Sequence, residues 1–238
     1  MDPSITSPRL FVHAALGPGA GIVATPAQAH HLGTVLRRGP GDAVRLFNGA
    51  DGEWSARIAA LRRDRCELAV GARLRAQAPE PDLWLAFALL KRDATDLVAE
   101  KATELGVAAL LPVITGRTQA ARVNRERLEA IAIAAAEQSE RLTVPLVAAP
   151  VTLAALLADW PAGRALVVAM ERQGAPGVAP ARGPAGLLIG PEGGFSAAEL
   201  DLMGRHAFVV AASLGDRILR AETAAIVGLA LMQAPAGV

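Results

Sequence analysis

The hydrophobic pattern of this 238-residue chain changes character near residue 76. Before that point, short segments alternate apolar and polar side chains, which is typical of strands that are buried on one face. After it, uniformly apolar segments alternate with helical patterns, and this alternation is typical of a parallel sheet covered on both faces. The pattern predicts an N-terminal β-rich domain over residues 1–76, a linker over 77–83 and a C-terminal α/β domain over 84–238.

The N-terminal domain is predicted to be a small β-barrel with one or two helices. Turn sequences rich in glycine and proline separate its strand patterns. One helix is predicted from about Pro26 to Arg37, because proline is favoured in the first turn of a helix. The predicted strands are RLFVH (9–13), DAVRLFN (42–48), EWSARIAAL (53–61) and RCELAVGA (65–72).

The C-terminal domain is predicted to contain alternating strands and helices. Ser196 stands three residues before Glu199, which is the spacing of a capping box at the start of a helix. The predicted strands cover 84–90, 109–114, 165–170, 186–190 and 208–213. The predicted helices cover about 94–105, 125–141, 153–157, a segment that follows Ser196, and 221–232.

The net charge of +1 is divided unevenly between the two domains. Residues 1–76 hold 10 arginines and 6 acidic residues, giving +4, whereas the remainder holds 14 basic and 17 acidic residues, giving −3. A basic module joined to a different one suits a polyanion such as RNA, although a solvated surface explains the asymmetry almost as well. The chain has no tyrosine, three tryptophans and five phenylalanines, which favours structured RNA over a single strand stacked on aromatic rings.

Several classes of protein are disfavoured by composition. No apolar run approaches the length of a membrane span, and the first residues do not resemble a signal peptide, so we expect a cytoplasmic protein without a membrane partner. The single Cys66 excludes an internal disulfide and is expected in the core rather than as a nucleophile. His30 and His31 point in different directions on a helix and have no accompanying cluster, so no metal site is expected.

Two glycine-bearing loops follow apolar strands, where ligands bind in open α/β sheets. They are LLIGPEGGFS (187–196) and SLGDRILRAET (213–223). The glycines allow close approach to a ligand, but neither a dinucleotide fingerprint nor a P-loop is present. A tight strand-to-helix turn is the simpler alternative for the first loop, and a local pair between Arg220 and Glu222 is the simpler alternative for the second.

These two loops resemble the signature of the ribosomal RNA small subunit methyltransferase E family, the 16S rRNA uracil-N3-methyltransferases of the SPOUT superfamily. The resemblance extends through four further motifs in the order and spacing of the family. They are RLFV (9–12), HHLGTVLRRGPGD (30–42), KATELGV (101–107) and AAEQSERLTVP (135–145). Each motif alone is weak evidence, whereas six in register are highly specific.

The resemblance implies a PUA-like barrel followed by a trefoil-knotted SPOUT domain, a homodimer with sites completed across its interface, and S-adenosylmethionine enclosed by three loops. The implied reaction methylates N3 of one uridine in the 16S rRNA of the small ribosomal subunit. The expected cofactor-binding residues are Met170, Glu171, Ile189, Gly190, Pro191, Gly193, Gly194, Leu214, Gly215, Ile218 and Leu219.

Catalysis is expected to need a base and a cation, because N3 of uracil must lose a proton before or during attack. We expect Arg220 to be the cation, with Glu192 or Glu222 positioning the base or the substrate. Phosphate contacts use mainly arginine and lysine, and the RNA-binding candidates are Arg9, His30, Arg37, Arg38, Arg45, Arg117 and Arg141. The alternatives are a catalytically silent RNA-binding or ribosome-assembly protein, and a SPOUT methyltransferase acting on another RNA such as tRNA.

Overall fold

The protein divides into two compact units that do not follow the chain strictly. A computed structural model describes residues 7–118, 123–170 and 174–234. The first unit contains residues 1–79 together with 136–144, and the second contains 80–135 and 145–238. The hydrophobic pattern, which assigns all of 84–238 to one domain, does not anticipate that 136–144 packs with the first unit.

The first unit is built on a five-stranded sheet. Its strands are β1 (Arg9–Phe11), β2 (Gly21–Ala24), β3 (Ala43–Phe47), β4 (Glu53–Arg62) and β5 (Arg65–Arg75). They lie in the order β1-β3-β4-β5-β2, with β1 and β3 parallel and the other neighbours antiparallel. The four strands predicted from alternation are present, whereas β2 is only four residues long and was not predicted.

The helical segment of the first unit begins at α1 (Pro26–His30) and continues as a π-helical turn (His31–Val35). A capping box between Thr25 and Gln28 fixes its start, because each residue satisfies a backbone N–H of the other. The segment ends at Val35, and Arg37, two residues beyond, has a φ of 52° in the left-handed region. The predicted helix over about 26–37 is therefore present, with a change of helical type in its second half.

The second unit is built on a parallel sheet. Its strands are β6 (Leu83–Ala88), β7 (Ala109–Ile114), β8 (Leu146–Val147), β9 (Val151–Thr152), β10 (Ala165–Ala169), β11 (Ala185–Ile189) and β12 (Val209–Ala212). The order is β12-β10-β11-β6-β7-β8, and β9 also pairs with β7. Every pairing is parallel, which confirms the prediction of a parallel sheet.

Helices cover both faces of this sheet. They are α2 (Arg92–Glu104), α3 (Arg125–Gln138), α4 (Leu153–Ala158), α5 (Ala197–Gly204) and α6 (Ala221–Met232). All five residues of β11 are buried, with Leu187 and Ile189 packing beside α2 and α6 while Leu188 packs beside α4 and α5. This alternation explains the uncharged strand pattern. Over the described ranges, no helix is long and apolar enough to span a membrane.

The sheet order brings three loops to one edge. Strands β12, β10 and β11 are neighbours and parallel, so the segments that leave their carboxyl ends begin side by side. These segments start at Met170, Gly190 and Ser213. The trefoil knot implied by the family resemblance stays a prediction.

Candidate functional site

A cavity of about 680 Å³ lies where these three loops meet. Its size falls within the range of roughly 300–1,000 Å³ that is usual for sites binding small molecules and cofactors. Backbone groups of the glycine-bearing loops and several apolar side chains form its wall. The lining consists of Ala169, Met170, Gly174, Ala175, Ile189, Gly190, Pro191, Glu192, Gly194, Phe195, Leu200, Ser213, Leu214, Gly215, Asp216, Arg217, Ile218, Leu219, Arg220, Ala221 and Ala224.

The loop after β11 is a tight turn in which two positions favour glycine for steric reasons. The Gly194 N–H donates to the Pro191 carbonyl at 2.8 Å, and Gly194 has a φ of 68°, which favours glycine. At Gly190, an added Cβ would lie 2.9 Å from Cε2 of the Phe195 ring. The turn leads into α5 through the capping box that was predicted from Ser196 and Glu199.

The loop after β12 presents apolar and charged side chains to the cavity. Leu214 and Leu219 are partly buried against the hydrophobic core beside α2 and α6. Ile218 is 56% exposed although it lines the cavity, so its side chain offers an apolar surface to a ligand. Gly215 has a φ of 116°, a conformation that a side chain would strain.

Arg220 is exposed at the N-cap of α6 and lines the cavity. Its side chain makes no capping hydrogen bond, and in the part of the chain that the structure describes no carboxylate pairs with it. The alternative of a local pair with Glu222 is therefore absent. Glu222 lies half-buried in the first turn of α6 and is not part of the lining, whereas Glu192 is exposed and lines the cavity. Of the two candidate carboxylates, only Glu192 shares the cavity with Arg220.

Most of the expected cofactor-binding residues lie in the cavity wall. Gly193 is outside the wall, and Glu171 lies outside the described residues. The residues that line it are Met170, Ile189, Gly190, Pro191, Gly194, Leu214, Gly215, Ile218 and Leu219. Phe195 was missed although it directly follows the two glycines of the loop, because its orientation depends on the ring packing over Gly190.

Arg9 lies in the interior of the first unit and does not present its charge to RNA. Its side chain is 3% exposed, and its Nε donates to Oε1 of Glu53 at 2.6 Å. The other guanidinium nitrogens donate to the carbonyl oxygens of Ala136, Glu137 and Arg141 at 2.6 to 2.9 Å. Because these donors are occupied within the protein, the prediction of a phosphate contact at Arg9 is wrong.

Arg45 and Arg141 are buried in the same unit, each 9% exposed. Arg45 is paired in register with Arg9 on adjacent parallel strands, so both side chains point to the same face, toward the buried carboxylate of Glu53. Burial raises the pKa of Glu53, but hydrogen bonds from Arg75 and Arg9 outweigh this effect and lower it. Because Arg45 and Arg141 are both buried, neither presents its charge to RNA, and both are withdrawn as RNA contacts.

The remaining RNA-binding candidates have accessible side chains. His30 and Arg37 are exposed, and Arg38 is half-buried. Arg117 is exposed in the second unit, but its Nη1 donates to the Gly193 carbonyl at 2.5 Å. Among the described residues, no group of three or more potential metal ligands comes together.

Known protein families match both units. A family model described as an RNA methyltransferase domain matches residues 77–233, and one described as an RNA methyltransferase PUA domain matches residues 24–70. The chain is 34% identical over 229 residues to the ribosomal RNA small subunit methyltransferase E of Rickettsia conorii, an alignment that covers 93% of each chain. The PUA match agrees with the PUA-like prediction for the N-terminal segment.

Two solved structures resemble the whole chain. The ribosomal RNA small subunit methyltransferase E of Neisseria gonorrhoeae, bound to S-adenosylmethionine, matches with a TM-score of 0.85 and 30% identity over 95% of this chain and 96% of that one. A methyltransferase from Legionella pneumophila in complex with the same cofactor matches with a TM-score of 0.84 and 31% identity over 95% and 96%. Together with the two family models, these similarities show that the chain belongs to the ribosomal RNA small subunit methyltransferase E family.

Proposed function

We propose that the chain uses S-adenosylmethionine to methylate N3 of a specific uridine in the 16S rRNA of the small ribosomal subunit. The observation that carries this proposal is the three-loop cavity, which holds Arg220, unpaired with any carboxylate of the described residues, beside the turn that bears Glu192. The membership of the chain in the family supports the substrate class.

The lining of the cavity fits this cofactor. Ile218, Leu219 and Phe195 supply apolar surface for an adenine ring, and the backbone of residues 190–194 and 214–219 supplies donors and acceptors for its polar edge. S-adenosylmethionine carries no phosphate groups, so its site does not need a cluster of basic side chains. The absence of a phosphate-binding fingerprint from the sequence agrees with this. When bound, S-adenosylmethionine supplies an electrophilic methyl group on its sulfonium.

The charged residues of the cavity are assigned to the uracil. The guanidinium of Arg220 stabilises the negative charge that spreads over the uracil oxygens as N3 loses its proton. Glu192 accepts that proton or orients the base, and we prefer it to Glu222 because only Glu192 lines the cavity.

Three accessible basic residues in and just after the helical segment of the first unit are assigned to the RNA backbone. His30 is the last residue of α1, and Arg37 and Arg38 follow the π-helical turn. Phosphate contacts there would fix the position of the RNA without reading its sequence. We expect an assembled small subunit as the substrate, a cytoplasmic location, and a homodimer in which each site is completed by the second copy.

The test is methyl transfer from labelled S-adenosylmethionine to small ribosomal subunits that lack the modification, followed by digestion to nucleosides. Label in 3-methyluridine is the expected result. Label in another nucleoside, or only in tRNA, would contradict the assigned target. If no RNA were labelled and the chain bound no S-adenosylmethionine in a separate titration, a silent RNA-binding protein would be the better description.

A further inference from the structure

A short turn after β7 lies against the loop that follows β11 in the second unit, residues 190–196, which is called the cofactor loop. Its residues, 115–118, close on themselves: the Thr118 N–H donates to the Thr115 carbonyl at 3.1 Å, and the Thr115 N–H donates to Oγ1 of Thr118 at 2.8 Å. This turn is therefore formed by its own hydrogen bonds and offers a fixed support to its neighbours.

Two hydrogen bonds join this turn to the loop that follows β11 and to the first turn of α5. Nη1 of Arg117 donates to the Gly193 carbonyl at 2.5 Å, and the Gly116 N–H donates to Oε1 of Glu199 at 2.8 Å. The second oxygen of Glu199 accepts from the backbone N–H and the hydroxyl of Ser196 at 2.8 and 2.9 Å. The loop is held at its centre by Arg117 and at its exit by Glu199.

The contact with Arg117 explains why Gly193 is absent from the cavity wall. Every other residue from Ile189 to Phe195 lines the cavity. At Gly193, an added Cβ would lie 3.3 Å from Cδ of Arg117, so this side of the turn is covered by the arginine stem. Glu192 and Gly194 therefore line the cavity, whereas Gly193 faces Arg117.

The peptide between Gly193 and Gly194 would otherwise be free to change direction. Two consecutive glycines have few steric limits, and Gly194 already has a φ of 68°. Arg117 donates to the carbonyl of this peptide, and the N–H of the same peptide, on Gly194, donates to the Pro191 carbonyl. Together the two hydrogen bonds fix the peptide plane. A loop fixed before the ligand arrives loses less conformational freedom on binding.

We propose that Arg117 is a positioning residue for the cofactor loop rather than an RNA contact, with Glu199 as the second anchor. This inference rests on the proposed function insofar as the cavity takes S-adenosylmethionine. It reassigns an arginine that the sequence pattern placed among the phosphate-binding candidates.

The experiment measures S-adenosylmethionine affinity in the absence of RNA, by isothermal titration, for the full chain and the Arg117→Ala variant. We expect the dissociation constant to rise about tenfold, since a hydrogen bond to a charged group is lost from a loop that must be fixed on binding. Glu199→Gln is expected to weaken the same affinity by a smaller factor. Arg205→Ala is the matched control, because Arg205 is an exposed arginine at the other end of α5.

Measuring RNA affinity distinguishes a positioning role of Arg117 from a direct contact between Arg117 and RNA. We expect Arg117→Ala to keep the affinity for small subunits, the salt dependence of that affinity and the melting temperature of the Arg205→Ala control. Unchanged cofactor affinity would overturn the inference, whether RNA binding weakened or stayed the same. Wild-type protein that bound the cofactor but methylated another nucleoside would refute only the assigned uridine target, whereas wild-type protein that bound no cofactor would overturn both proposals.

Discussion

At the scale of single residues, Arg9 shows how a charge in a strand can belong to the interior. Its guanidinium contacts Glu53, which is 1% exposed, and lies 4.3 Å above the centre of the Phe47 ring. It also donates to the Ala136 and Glu137 carbonyls, which belong to the last turn of α3 and have no partner within the helix. One side chain thus neutralises a buried carboxylate and caps a helix.

We predict that Arg9→Met lowers the free energy of unfolding by about 3 kcal/mol, because breaking a buried ion pair from one side leaves the other charge poorly compensated. Arg75 still donates to Glu53 at 2.8 Å, which keeps the cost at the lower end of the usual range. Urea denaturation measures it, with the exposed Arg37→Ala as a control. Unchanged stability together with weaker RNA binding would restore the RNA-contact interpretation.

For Arg220→Ala, we predict a decrease in kcat of roughly 10²–10³-fold, the usual effect of removing a group that stabilises charge in the transition state. The affinity for S-adenosylmethionine should change little, because the cofactor contacts are assigned to backbone and apolar groups. Single-turnover methyl transfer at saturating cofactor measures the effect, with Arg205→Ala as the reference. Turnover close to that of the wild type would refute the assigned role.

At the scale of helices and strands, sequence patterns predict elements that are long, capped or uniformly apolar. The central strands of the second unit and the capping box at Ser196 were predicted on these grounds. The two-residue strands β8 and β9 were not, because so short a segment has no recognisable period. They pair with β7 on either side of Pro112, which has no N–H to donate to a neighbouring strand.

Sequence patterns likewise predict only part of the candidate site. The two loops were predicted because glycine and proline mark turns, and the parallel sheet places those turns at one edge. The roles of Arg9, Arg45 and Arg141 were misjudged, and a different role is proposed for Arg117, since sequence alone does not show whether an arginine meets a buried carboxylate, a carbonyl or water. These assignments depend on contacts between segments that are distant in sequence, such as Arg9 with Glu137 and Arg117 with Gly193.

The capping of α5 is predicted to depend on pH through Glu199. Burial raises its pKa, but hydrogen bonds from Ser196 and Gly116 outweigh burial and lower the pKa below its ordinary value. Its stabilising contribution is therefore complete above the ordinary glutamate pKa of about 4.3 and is lost as the pH falls through the lowered value. Urea denaturation should show Glu199→Gln less stable than wild type near about pH 7, with the difference shrinking toward about pH 3. A constant difference would contradict this assignment.

At the scale of the whole molecule, the chain combines a basic β-rich unit with an α/β unit that carries the cavity. Residues 1–76 have a net charge of +4, yet two of their arginines, Arg9 and Arg45, are buried. The charge available to RNA is therefore smaller than the sequence suggests. It includes the exposed Arg37 at the end of the helical segment.

We predict that Arg37→Ala reduces the slope of log affinity for small subunits against log salt concentration by about 1, which corresponds to one phosphate contact. The affinity for S-adenosylmethionine should be unaffected. Arg9→Met, whose charge is buried, should leave this slope unchanged under conditions in which the variant is folded. Filter binding over a range of salt concentrations provides the comparison, and an unchanged slope for Arg37→Ala would remove this residue from the RNA surface.

Binding of S-adenosylmethionine in the cavity formed by the three loops underlies the proposed activity. Isothermal titration of the cofactor into wild-type protein and the Gly190→Ala variant tests it most directly, with Gly204→Ala as the control because an added Cβ there meets no atom within 4 Å. The added methyl group at Gly190 would displace the Phe195 ring, which lines the cavity. We predict a dissociation constant raised by about tenfold or more for Gly190→Ala and unchanged for Gly204→Ala. Equal affinity in all three proteins would contradict the claim that this cavity is the cofactor site.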